Sequence, residues 1–424
     1  MTELAPFDAA AILVVFAALL GYANIRWLRL PATIGMTLMG ALASMLVIAI
    51  DALVPTSRLS THLAVLLDDI DFHETLMNGM LSFLLFAGAL HVDWSEMKRG
   101  RWPILLFTTV GVVLSTAIIG FGMYGAGGWL GLNIPLPWCL VFGALISPTD
   151  PVSVMAVMKR AAMPPTLQAT VAGESLFNDG VGVVVFSLMV AVAQGGGEMT
   201  AGELAGHFLR EAGGGVALGL AVGALAFAAM RRIDDYSTEI MITLAAVMGG
   251  YSLAMALHIS GPVAMAVAGL MIGNAGVAHA MSERTRTYLL GFWSLIDDLL
   301  NVILFLFIGL ELVAVLKGEA GFLPGLIAIP IVLLARAVSV LIPLLATRRF
   351  VAMGPMAFPT LFWGGLRGGI SIALALSVSD AAIRAQLLAA TYVVVMFSVI
   401  VQGGTIAQLI DRLRKRHQPE GESA

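Results

Sequence analysis

The chain has 424 residues, 59% of them hydrophobic and 12% charged, with a formal net charge of −4 and a mean hydropathy of +0.94. A soluble domain of this length carries about a quarter charged residues, so the composition describes an all-α polytopic membrane protein and gives no footing for a nucleic-acid partner. One cysteine, Cys139, excludes an intramolecular disulfide framework.

A helix that crosses a bilayer needs about 20 mostly apolar residues. That criterion predicts thirteen segments, at about 8–25, 32–53, 75–91, 103–126, 136–158, 166–194, 206–230, 237–257, 260–280, 290–316, 321–347, 357–378 and 384–411. The opening MTELAPFDAA has acids where a cleavable signal has basic residues, so segment one is expected to be retained. No linker is long enough for a soluble domain. Residues 1–411 therefore read as one transmembrane domain, and RLRKRHQPEGESA (412–424) as a short, disordered cytoplasmic tail.

Cytoplasmic loops concentrate Lys and Arg. Loops after odd-numbered segments hold 17 of the 23 basic residues, whereas the even side holds only Arg58, Lys317 and Arg384, with Arg210 near the start of segment seven. This alternation predicts an external N-terminus and a cytoplasmic C-terminus. The acidic run DDIDFHE (68–74) then reads as a solvated outer loop.

Two segments carry helix breakers. Segment five contains ISPTDPVSV (146–154), where Pro148 frees the carbonyl of Ala144 and Pro151 that of Ser147. Two prolines bracketing Thr149 and Asp150 are expected to unwind the helix near mid-membrane, beyond a simple kink. Unwound backbone at that depth must be covered by protein or line a water-filled cavity. Segment twelve contains GGLRGGIS (364–371), with four glycines in six residues around Arg367. Paired interruptions in corresponding positions suggest an inverted-repeat transporter. The repeats span about 8–194 and 237–411, linked by helix 206–230.

ESLFND (174–179) lies in segment six, where an ionised group at the bilayer centre costs roughly 2.5–3.5 kcal/mol or more. Helical spacing puts Ser175 and Asp179 on one face and Glu174 and Asn178 on another. The first face offers hard oxygen ligands for a small cation. A lone aspartate in a half-hydrated cavity can hold either a proton or a cation, the minimum machinery of an exchanger. Arg367 needs a carboxylate, with Glu174, Asp150 and Asp179 as candidates. The economical assignment pairs Arg367 with Glu174 and leaves Asp179 free to titrate; a purely structural hydrogen-bond network is the alternative. Arg336 in LLARAVS reads as structural. Asp297 and Asp298 either line a cytoplasmic funnel or cap a helix start, and His91, His258 and His279 read as interfacial.

SPTDPVSV, GESLFNDG, FLFIGLEL (305–312) and GGLRGGISIALALS (364–377) resemble, in order and spacing, the signature segments of the monovalent cation:proton antiporter-1 family, the sodium/proton exchangers of the NhaP and NHE type. The resemblance covers nearly the whole transmembrane chain. It implies an NhaA/NhaP-like fold in a bacterial inner membrane and a role in pH homeostasis. It also implies a homodimer in which segments five, six, twelve and thirteen form a core moving in an elevator-like cycle. Matched motif to motif, Asp179 is the carboxylate shared by proton and Na⁺, Ser175 and the Thr149 carbonyl are Na⁺ ligands, Asp150 and Asn178 belong with them to the ion-binding set, and Glu174 with Arg367 is the stabilising ion pair. Asn178 before Asp179 resembles the electroneutral members, implying one cation per proton. One departure is Ala87 in FAGAL (86–90), where many members carry an acid. Glu311 resembles a family position but also reads as a snorkelling interfacial carboxylate.

The expected function is thus secondary antiport of Na⁺ (or Li⁺) for H⁺ without a cofactor, with K⁺/H⁺ exchange as the alternative. An intramembrane hydrolase is disfavoured: Gly173-Glu174-Ser175 makes no serine site and no YD…GxGD pair occurs. A passive channel fits poorly with two broken helices and a buried ion pair.

Overall fold

The computed structural model describes residues 6–54, 59, 79–130, 134–195, 201–317, 321–349, 351 and 353–417, so the acidic run 68–74 lies outside the described residues. In chain order, α1 (Pro6–Ala23) ends in a π-helical turn, followed by α2 (Ala32–Leu53), α3 (Leu81–Leu90) and the short α4 (Trp94–Arg99). Next, α5 (Arg101–Leu106) passes through a π turn (Phe107–Gly111) into α6 (Val112–Leu130). After it come α7 (Leu136–Leu145), α8 (Val152–Arg160), α9 (Pro165–Ala193), α10 (Ala201–Met230) and α11 (Tyr236–Ala256). Then α12 (Gly261–Met271) continues by a π turn into α13 (Val277–His279), and α14 (Glu283–Leu310) into α15 (Leu312–Lys317). Last are α16 (Leu323–Thr347), α17 (Ala357–Trp363), α18 (Gly369–Leu376), α19 (Ala381–Phe397) and, after the π turn Ser398–Gly403, α20 (Gly404–His417).

Among the described residues no strand forms, and ten helices are long and apolar enough to cross a membrane. The remaining predicted segments, three, five and twelve, appear as α3, as the pair α7/α8 and as the pair α17/α18. The helices sort into two groups by what they pack against. One holds α2 on α14, α12 on α3 and α10, and α11 on α12. The other holds α7 on α6 and α9, and α16 on α6 and α19. Without a hydrophobic drive in lipid, close packing relies on small residues. At the α2–α14 crossing, a Cβ on Gly40 would sit 2.8 Å from the Leu306 carbonyl oxygen, and one on Gly309 would sit 2.5 Å from that of Thr37.

Two boundaries depart furthest from the sequence expectation. The helix of segment ten starts at Glu283 rather than near 290, because Ser282 caps it by accepting the Thr285 N–H at 3.3 Å. Hydropathy misses this turn because ERTR is polar. The tail is also ordered further than expected: α20 runs through Arg412 to His417. Its Ile406 and Ile410 are fully buried in a cluster with Val154, Met158 and Leu361, against α8 and α17. Arg and Lys are good helix formers, so the anchored helix continues through the basic residues, with Arg412, Arg414 and Lys415 exposed.

Candidate functional site

The two breaks cross each other. Residues 146–151 separate α7 from α8 and residues 364–368 separate α17 from α18, and the Asp150 N–H donates to the Leu366 carbonyl at 2.8 Å as an isolated antiparallel bridge. Each break leaves a half-helix C-terminus with unpaired carbonyls and a half-helix N-terminus with unpaired N–H groups.

Arginines meet the carbonyl ends. Arg367 Nη1 donates to the carbonyls of Ser147 and Pro148, just past α7, the latter at 3.1 Å. Arg336 donates to the Leu361 carbonyl, in the last turn of α17, from Nε at 3.1 Å and Nη2 at 2.8 Å. An aspartate meets the N–H ends. Asp150 Oδ1 accepts the Val152 N–H at 2.9 Å at the start of α8. Its Oδ2 faces the start of α18, where a Cβ on Gly368 would lie 3.1 Å away.

The ion pair differs from the sequence expectation. Glu174 pairs with Arg336, through Oε1 to Nη1 and through Oε2 to Nη2 at 3.2 Å; Arg367 makes no salt bridge to it. Helix α16 turns Arg336 towards α9, where it satisfies both Glu174 and the end of α17. Arg367 is consumed by two backbone carbonyls of the unwound stretch, Ser147, which Pro151 sets free, and Pro148. The partner was Arg336, which the sequence marked as structural.

Ser175, Thr149 and Asn178 form a tight cluster. Asn178 Nδ2 donates to Thr149 Oγ1 at 2.8 Å, the Thr149 N–H donates to Asn178 Oδ1 at 3.4 Å, and the Thr149 and Ser175 hydroxyls are 3.1 Å apart. Both ends of the Asn178 amide are therefore engaged with Thr149, which makes it a brace of the unwound segment. Thr149 Oγ1 has two lone pairs and can accept from Asn178 and Ser175 together, leaving both lone pairs of Ser175 Oγ free.

Asp179 and Ser175 line a cavity of about 640 Å³, together with Thr149, Asp150, Asp297 and Asp298. Asp179 retains 9% of its surface exposed, against 3% for Ser175 and 2% for Asn178. Asp297 and Asp298 thus belong to the cavity wall, on a helix that begins more than a dozen residues earlier, which removes the helix-start alternative. Asn301 Nδ2 donates to Asp297 Oδ1 at 3.1 Å. His91, Asp93, Glu96 and Lys159 complete the wall, on the side that carries the basic loops. Asp93, outside the spans, caps α4; the Ser95 hydroxyl at 2.7 Å, then the Ser95 N–H, hold its carboxyl below the usual range. Among the described residues, six acids line the cavity against one lysine, and such an excess of one charge sign raises the local concentration of counter-ions.

Ala87 is fully buried in a cluster with Phe86, Leu90 and Trp293, whereas its neighbour Gly88 lines the cavity. Glu311 is buried between α14 and α15, which excludes a snorkelling position.

A family model described as "Sodium/hydrogen exchanger, transmembrane" matches residues 14–412. The chain belongs to the sodium/hydrogen exchanger family. Among similar exchangers, it is 43% identical over 416 residues to the Na(+)/H(+) antiporter NhaP of Pseudomonas aeruginosa, covering 96% of each chain. It is 34% identical over 349 residues to the Na(+)/H(+) antiporter NhaH of Halobacillus dabanensis, covering 81% of this chain and 84% of that one. The exchanger fold also superposes on the sodium proton antiporter MjNhaP1 of Methanocaldococcus jannaschii with a TM-score of 0.75 at 21% identity, over 96% of this chain and 98% of that one.

Proposed function

We propose that the protein is a secondary antiporter that exchanges Na⁺ for H⁺ at Asp179. The observation that carries this reading is the Asp179 carboxylate, without a cationic partner among the described residues, lining a cavity of about 640 Å³ beside the Ser175 hydroxyl and the unwound Thr149 backbone. The named Na⁺/H⁺ antiporters among its relatives support the same reading. Na⁺ binds Asp179, Ser175 Oγ and the Thr149 carbonyl, with Asp150 adding field. A proton on Asp179 removes the charge that holds the ion, so the two loads exclude each other.

One Na⁺ moves per proton. Asn178 is locked onto Thr149 and brings no second charge, and Asp150 Oδ1 is committed to the N-terminus of α8. The group containing both crossings, α7–α9 and α17–α19, carries the ion past the other helix group in an elevator-like step. With the basic loops cytoplasmic, the cavity opens inward in this conformer. The protein resides in the cell membrane as a homodimer; α1 and α10, whose apolar windows are only 17% and 28% buried, leave faces for lipid or a second copy.

The test is reconstitution in proteoliposomes with an imposed pH gradient, challenged in turn with Na⁺, Li⁺ and K⁺. Na⁺ and Li⁺ dissipate the gradient, and Asp179→Asn abolishes this while leaving the purified protein folded. Activity retained in Asp179→Asn defeats the site, and a response to K⁺ alone defeats the choice of ion. Rates that follow the membrane potential overturn the one-to-one ratio.

A further inference from the structure

Six buried side-chain oxygens lack a hydrogen-bond partner among the described residues, on Glu239 (two), Thr360, Ser371, Gln386 and Tyr392. Only Ser371 among these residues lines the cavity that holds Asp179 and Asp150. Ser371 is 1% exposed and sits in the first turn of α18, three residues after Gly368, which faces the Asp150 carboxylate. Residues three apart share a helix face, so the Ser371 side chain is carried on the same side as that approach. A buried hydroxyl left without a partner costs about 1–3 kcal/mol. Ser175, the cavity hydroxyl on α9 beside the first crossing, bonds Thr149 at 3.1 Å.

We propose that Ser371 Oγ is a coordinating oxygen for the transported cation, so that both broken helices hold the ion. This rests on the exchange reading above. Asp179, Ser175, Thr149 and Asp150 all come from the first crossing and the helix beside it, which leaves the second crossing without a ligand of its own. A hydroxyl adds an oxygen without adding charge, so the exchange ratio is untouched. The positive end of α18 opposes a cation there, but it carries about half an elementary charge and faces the full charge of Asp150. A neutral oxygen at that end offsets part of the cost of dehydrating Na⁺.

The experiment compares wild type, Ser371→Ala and Ser371→Thr, by Na⁺-dependent exchange in proteoliposomes and by Na⁺-induced thermal stabilisation of the purified protein. Ser371→Ala raises the half-saturating Na⁺ concentration about 3- to 10-fold in both measurements. It does not lower the melting point without Na⁺, because alanine removes a hydroxyl that has no partner there. Ser371→Thr, which keeps the oxygen, restores the wild-type midpoint. An unchanged midpoint in Ser371→Ala overturns the inference. So does a fall in the Na⁺-free melting point with the midpoint unmoved, which makes the hydroxyl a packing group. If the wild type itself answers to no added Na⁺, the exchange reading fails; that outcome is distinct from a wild type that responds and an alanine variant that matches it.

Discussion

The two crossings are made by different chemistry and do different work. The first, ISPTDP, is broken by prolines and carries three oxygen-bearing side chains, Ser147, Thr149 and Asp150. The second, GGLRGG, is broken by glycines and carries one arginine and no side-chain oxygen before Ser371. Proline breaks a helix by deleting a donor and clashing with a carbonyl, so it fixes a rigid opening in which ligands hold their positions. Glycine breaks it by lowering helix preference and by letting other groups approach closely. Arg336 and the Asp150 carboxylate use that room, because a Cβ on Gly365 or Gly368 would press on them. The proline break therefore presents the oxygens of Thr149 and Asp150, while the glycine break supplies the arginine that binds the Ser147 and Pro148 carbonyls and, as proposed above, the Ser371 hydroxyl.

The largest expected effect tests the arginines. Arg336→Ala leaves Glu174 as an orphaned buried charge and strips the end of α17, so it destabilises by about 3–5 kcal/mol, read by thermal unfolding in detergent. Glu174→Gln in the same chain recovers a substantial part, because the orphan is then neutral. Arg367→Ala removes a charge without stranding another and leaves two carbonyls unpaired, so it costs about 1–3 kcal/mol. A double-mutant cycle gives strong coupling of Glu174 to Arg336 and weak coupling to Arg367. Equal couplings would erase the division of labour between the two arginines.

That division also marks where sequence reasoning stopped. Both breaks were legible, because paired prolines and clustered glycines have no place in an ordinary apolar helix. Ser175 and Asp179 on one face followed from helical spacing alone. Arg336 stayed hidden because its helix is regular and apolar, so nothing in its neighbourhood signals a task. Arg367 drew the pairing to itself because it sits in an anomaly. Which arginine reaches Glu174 depends on how α16 is rotated against α9, and the residues of one helix do not encode that angle. Ser371 was missed for a related reason: an absent hydrogen bond becomes visible only when every neighbour is placed.

A smaller effect probes the brace of the first crossing. Asn178→Ala loses both bonds to Thr149 and costs about 1–2 kcal/mol. It also frees the Thr149 backbone, so the half-saturating Na⁺ concentration rises while Asp179 still titrates. Measured together, the melting point and the Na⁺ midpoint move in this variant. If the midpoint stays fixed, the unwound segment keeps its shape without Asn178 and the prolines alone set it.

The smallest effect is expected at Gly368, and it separates room from strain. Its backbone, at φ −123° and ψ −162°, is extended and open to any residue, so alanine pays no conformational cost there. The added Cβ would lie 3.0 Å from Asp150 Cβ and 3.1 Å from its Oδ2. That contact is relieved by a shift of a few tenths of an ångström in one side chain, and the loss of stability stays below about 1 kcal/mol. Asp150 nonetheless faces the site, so its displacement should change the Na⁺ midpoint by about twofold, roughly 0.4 kcal/mol, while the melting point barely moves. Gly368→Ala and Asn178→Ala thus form a matched pair, one on each crossing. If Gly368→Ala melts the protein as much as Asn178→Ala does, the glycine break is as rigidly set as the proline break, and the contrast between them is lost.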